Sequence, residues 1–143
     1  MAVVGWESCL HYCDCRKLAV VEENGRGVRF VNKREKRVAL YRVDGCLIKE
    51  GVKCDFLFLV IEGGRAFFIE LKGSDLEEAV HQIARTIEQL GKWLPGYRFE
   101  GRIVTTRVRT PALKSTYLMK LEKMLRRTGG TLVVKAKWDE VNV

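Results

Sequence analysis

Two apolar runs, residues 56–61 and 66–71, flank a Gly63-Gly64 pair in the stretch CDFLFLVIEGGRAFFIELKG, residues 54–73. Aromatic and β-branched residues on either side of glycines that accept positive φ predict two strands joined by a tight hairpin. On the N-terminal side, Trp6, Leu10, Cys13, Val20 and Val21 recur at roughly helical intervals, which predicts a helix within residues 3–23 that Asn24-Gly25 and Gly27 end. Residues 27–32 and 37–44 read as a strand pair around the charged turn Lys33-Arg34-Glu35-Lys36, and residues 46–51 as a turn leading into the central hairpin. Beyond the hairpin, Leu76, Val80, Ile83, Ile87 and Leu90 form a helical stripe, opened by a Ser74-to-Glu77 capping box and stopped at Gly91. Trp93-Leu94-Pro95-Gly96-Tyr97 is expected to turn and pack on the helix end. Residues 101–106 then form a third core strand, parallel to the one before the helix. Thr110-Pro111 opens a second helix that buries Leu113, Tyr117, Leu121, Met124 and Leu125 and turns Lys120, Lys123 and Arg127 outward. Gly129-Gly130 ends it, and residues 131–136 complete the sheet.

Strands and helices so interleaved over 143 residues predict one α/β domain spanning residues 1–143. With 47% hydrophobic and 31% charged residues the composition is that of a soluble globular protein. No apolar run approaches the roughly 18 residues that span a bilayer, and residues 1–10 lack a basic segment followed by a hydrophobic one. The expectation is a cytoplasmic protein with no membrane partner. A net charge of +8 favours a polyanion, since lysines and arginines gain affinity by releasing counterions from phosphates. The candidate contacts are Lys33, Arg34, Lys36, Arg37, Arg107 and Arg109. Cys9, Cys13 and Cys15 are close enough to share an ion with Cys46 or Cys54, but their spacing matches no common zinc signature. Reduced, buried thiols are the favoured reading over a metal cluster or a disulfide framework, with His11 a surface or capping residue.

Three polar groups break the central apolar pattern. Alternation along a strand puts Glu70 and Lys72 on one face, and a paired strand can bring Asp55 alongside them. Each uncompensated buried charge costs several kcal/mol, on the order of the penalties for buried ions. A divalent metal would offset that cost; alternatively Asp55 and Glu70 pair with Lys72, or all three lie at exposed strand ends. Asp44, in an Asp-Gly turn pair, can add a carboxylate if its turn folds back on Asp55.

An acid, a β-hairpin, Glu-x-Lys at the end of the second strand and then a helix resemble the core of the PD-(D/E)xK nuclease superfamily over residues 38–106. Cys54-Asp55 stands at the "PD" position, with cysteine in place of proline, and Glu70-Leu71-Lys72 is the "ExK" element. The resemblance implies a restriction-endonuclease-like fold, a central mixed β-sheet flanked by helices. It implies a phosphodiesterase in which Asp55, Glu70 and the Leu71 carbonyl hold Mg²⁺ or Mn²⁺; Asp44, offered by its turn and not by the resemblance, is the further candidate ligand. Lys72 would orient the attacking water and stabilise the pentavalent phosphorus. Gln82 matches the helical glutamine that supports such sites, or is a solvated helix residue. An extra acid from a first helix would be Glu7, Glu22 or Glu23. The function so implied is metal-dependent hydrolysis of nucleic acid, most readily DNA. The alternatives are an inactive nucleic-acid-binding or assembly subunit that keeps the fold, and a Holliday-junction resolvase acting as a homodimer.

Overall fold

The computed structural model describes residues 3–71, 75–106 and 116–143. A 3-10 turn, Glu7–Cys9, leads into β1 (Leu10–Asp14), β2 (Leu18–Glu23), β3 (Arg26–Val31), β4 (Val38–Arg42), β5 (Phe56–Val60) and β6 (Arg65–Leu71). Then come α1 (Leu76–Leu90), a 3-10 turn Gly91–Trp93, β7 (Arg98–Thr105), α2 (Thr116–Arg126), β8 (Leu132–Ala136) and β9 (Trp138–Asn142). The six-stranded main sheet has the order β1-β4-β5-β6-β7-β8, antiparallel through β6 and parallel from β6 to β8. A second sheet of three strands has the order β2-β3-β9, with β9 parallel to β3.

The central hairpin is as expected: Phe56 pairs with Ile69 and Val60 with Arg65, and Gly63 and Gly64 turn with φ of 91° and 67°. β7 lies parallel to β6 across α1, as expected, and starts earlier, at Arg98.

Residues 3–23 form two strands instead of a helix. From Leu18 to Glu23 burial alternates, with Ala19 and Val21 inside and Leu18 and Val20 outside, which is the period of a strand. Asn24 and Gly25, at φ of 53° and 75°, join Glu23 to Arg26 as a two-residue hairpin of the type that asparagine and glycine favour. The expected pairing of residues 27–32 with 37–44 is also absent. β3 pairs with β2 and β9, whereas β4 pairs with β1 and β5, so the charged turn carries the chain from one sheet to the other. Buried Asn32 fixes that passage: its side chain donates to the Arg16 and Lys36 carbonyls and accepts from the Lys36 amide.

Among the described residues the main sheet has helices on one face. There α1 and α2 pack against β6 and β7, in one core cluster with Ala39, Tyr41, Leu57, Leu59, Ala66, Phe68 and Ile103. The other face is covered by the small sheet, whose Ala19, Val21, Val28 and Phe30 meet Phe58, Phe67, Ile69 and Val104. Phe30 stacks on Phe58 at 3.9 Å and meets Phe67 edge-on at 4.9 Å. Toward β9 this layer turns ionic. Glu100 accepts from Arg98 at 2.8 Å and Arg65 at 3.3 Å, and Arg102 faces Asp139 at 3.4 Å.

Asp75 caps α1, accepting from the Glu78 amide, while Ser74 of the expected capping box lies outside the described residues. α1 ends at Leu90 with Gly91 as its C-cap, as expected, but Gly91 stays right-handed and leads into the 3-10 turn. Its lack of a side chain admits the Phe99 ring, 3.2 Å from where a Cβ would stand. Trp93 is exposed, while Leu94 is buried in the core and Tyr97 packs partly buried against it. Along α2, Leu121 and Leu125 are buried, Met124 is partly buried, and Tyr117 is exposed against the His81 ring at 4.2 Å. Thr110-Pro111 and Leu113 lie outside the described residues. The end of α2 follows expectation: the Gly130 amide reaches the Leu125 carbonyl and the Gly129 amide the Arg126 carbonyl, with Gly129 at φ 88°. Among the described residues no helix is long and apolar enough to cross a membrane.

Candidate active site

The register that pairs Phe56 with Ile69 sets Asp55 opposite Glu70, one step beyond the last paired residue of β5. The Asp55 amide donates to the Ile69 carbonyl at 3.1 Å, and the Leu71 amide returns a bond to Asp55 Oδ2 at 2.8 Å. The Glu70 side chain lies close enough to the Asp55 carboxyl to act on it as a hydrogen-bond partner. Glu70 is 2% exposed. The two acids thus meet beside the C-terminal ends of the parallel strands, the edge where open α/β sheets carry their ligands.

Burial raises the Asp55 carboxyl above its ordinary range; the Leu71 amide pulls it down, and the charges of Glu23 and Asp44 push it up. Asp44 is brought here by its turn: the Val43 and Asp44 amides both donate to the Asp55 carbonyl, at 2.9 and 3.3 Å. Its carboxylate faces Lys53 Nζ at 3.7 Å. Of the three glutamates expected to supplement the site, Glu23 is the one whose charge acts on Asp55. It arrives on the small sheet, at the Asn24-Gly25 hairpin, and not on a first helix. Glu22 is exposed beside it, and exposed Glu7 accepts from the Gly5 amide.

The segment entering the site is pinned from α1. The Cys54 amide donates to Thr86 Oγ1 at 2.8 Å, and that hydroxyl donates to the Gln82 carbonyl at 2.8 Å. Gln82 lines a pocket of about 280 Å³ with Asp44, Gly51, Val52, Lys53, Glu78 and His81. Neither Thr86 nor Lys53 stood out in the sequence, because one lies among helical residues and the other in a charged turn. Lys72, Arg107 and Arg109 lie outside the described residues. Lys33, Arg34 and Arg37 are exposed and Lys36 is half-buried, all before Val38, which pairs with Val60. The acids lie past the other end of these strands, so the length of β4, about 14 Å, separates the basic turn from them.

Two of the five cysteines depart from the expected reduced thiols. Cys9 and Cys46 form a disulfide, with Cα atoms 5.7 Å apart. The Leu10–Tyr41 pairing brings the start of β1 beside the end of β4, so the residue before Leu10 meets the loop after Arg42. Cys13 is half-buried, Cys15 exposed and Cys54 buried, and burial pushes the Cys54 thiol far up. His11 is exposed, as expected.

Among the described residues no group of three or more His, Cys, Asp and Glu side chains is placed to hold a metal ion. The Asp55–Glu70 pair still suits Mg²⁺, which takes one or two carboxylates and completes its shell with water and phosphate. Asp55, raised first by burial and then by the charges of Glu23 and Asp44, stands beside a second buried acid, and a cation there would offset the cost of keeping it ionised. Comparison with family models, with curated proteins and with solved structures finds no match for this chain.

Proposed function

We propose that this protein is a metal-dependent nuclease of the PD-(D/E)xK type that hydrolyses phosphodiester bonds, with DNA the favoured substrate. The observation that carries the reading is the contact between Asp55 and Glu70 at the end of an antiparallel hairpin that a helix and a parallel strand follow. The departure from a sheet with helices on both faces leaves that unit intact, since the small sheet covers the face away from α1.

In this reading Asp55 and Glu70 hold the cation, with the Leu71 carbonyl and Asp44 as the further candidate ligands. A bound Mg²⁺ supplies a water of lowered pKa and neutralises charge on the phosphate oxygens. Thr86 and the Leu71 amide hold Asp55 in place, Gln82 faces the substrate from α1, and Lys72 orients the water and offsets charge on phosphorus.

The test is a panel of plasmid, linear duplex, branched DNA and RNA incubated with Mg²⁺ or Mn²⁺. Wild type is expected to cut at least one member. Asp55→Ala and Glu70→Ala should each lower the rate at least about 100-fold, the scale of losing one electrostatic group in a site of this kind. Mg²⁺ should raise the melting temperature of wild type and leave Asp55→Ala unmoved, since a ligand stabilises only the fold that binds it. A wild-type protein that binds nucleic acid and cuts nothing with either metal overturns the catalytic reading.

A further inference from the structure

We propose that Lys53 is a second phosphate-binding lysine, holding a phosphodiester next to the one that is cut in the pocket beside the acid pair. This rests on the nuclease reading and assigns part of the substrate to a residue that reading does not use. The Lys53 side chain is 18% exposed, and its ionic partner among the described residues is Asp44 at 3.7 Å. That separation is too long for a hydrogen bond. An ammonium carries three donors and no acceptor. Shutting it away from water without a close acceptor is costly, and a ligand with charged oxygens removes the cost.

The surroundings fit such a ligand. Lys53 lines a pocket of about 280 Å³ together with Gly51, Val52, His81 and Gln82. The volume lies near the low end for small-molecule sites and admits a phosphate with its sugar. Lys53 precedes Asp55 by two residues, so their Cα atoms are at most about 7 Å apart. A strand whose cut phosphate sits at Asp55 therefore passes a neighbouring phosphate within reach of the lysine. Asp44 and Glu78 also line the pocket and keep it from being a general anion trap. In the free protein Asp44 draws the ammonium toward itself at long range. A phosphate oxygen makes the shorter, charge-assisted contact of about 2.7–2.9 Å and takes its place.

The experiment measures binding of a labelled DNA duplex, in EDTA so that nothing is cut, across a salt series. Each phosphate contact contributes about 0.9 to the slope of log K against log salt for duplex DNA. Lys53→Gln should flatten the slope by about that amount, and Lys53→Arg should restore it. A role confined to supporting the fold would not change the slope, and melting curves run alongside identify variants that fail to fold. Lys53→Met, which keeps the apolar stem, is read in the same way if Lys53→Gln unfolds. A slope unchanged in folded Lys53→Gln or Lys53→Met overturns the proposal, as does unfolding of both variants, since Lys53 would then be a structural residue. Wild type that binds no nucleic acid overturns the nuclease reading, and the assignment of Lys53 falls with it.

Discussion

Asp55 is an acid kept where its charge is unwelcome, and that has a measurable sign. Its folded-state pKa is raised above the ordinary value of 3.8, with burial the largest cause. Between those two values the folded chain holds a proton that the unfolded chain has released, so stability falls as pH rises through the window and stays lower above it. Asp55→Asn keeps an oxygen for the Leu71 amide and a donor for Glu70 while removing the charge. It should melt above wild type at pH 7 without metal, and the gap should close only as pH falls below the ordinary carboxylate value, where wild type is protonated in both states. Melting curves across that range decide it, and a gap independent of pH would be the contrary result. Asp55 and Glu70 were legible because a charge inside an apolar strand is conspicuous and alternation fixes its face. The choice of Glu23 over Glu7 and Glu22 was not legible, because it depends on where a separate sheet lands. Lys53 was hidden among the charges of the turn around it.

Among the elements, the central hairpin, α1, the parallel strand after it and the end of α2 could all be read from the chain, since each is fixed by local periodicity or by glycine at a turn. The first strands could not. Trp6, Leu10 and Cys13 happen to fall at helical spacing, while the Asn24-Gly25 pair that decides the matter suits the end of a helix and the turn of a hairpin equally well, and is the latter. The buried ion cluster of Arg102, Glu100 and Asp139 joins residues nearly forty positions apart, which no local pattern reports. The element that positions the site is α1, through one hydroxyl. Thr86→Val leaves the buried Cys54 amide without its acceptor and should cost about 1–3 kcal/mol in chemical denaturation. It should also slow cleavage, because the Cys54-Asp55 segment loses its anchor. Denaturation indistinguishable from wild type would show that the bond contributes nothing to holding the segment.

Taken whole, the molecule is three layers, helices over a mixed sheet over a small sheet, with the acid pair at one end of the middle layer and a disulfide beside it. The Cys9–Cys46 bridge closes 37 residues of chain, which by loop-closure entropy stabilises the fold by about 3–4 kcal/mol. Reduction, or Cys9→Ser, should lower the melting temperature accordingly, and an unchanged value under reductant would mean that the bond is absent in solution or carries no weight. The small sheet holds another consequence, one of timing. β3 lies between β2 and β9, and Gly27 waits for Trp138, 111 positions later, to close its second edge. At about 5–20 residues per second of synthesis, that edge stands open for about 6–22 s in every new chain. For that interval Val28 and Phe30 sit on an unfinished strand able to pair with a neighbouring chain on the same message. β9, made 111 positions after Gly27, is thus the strand that ends the exposure of β3.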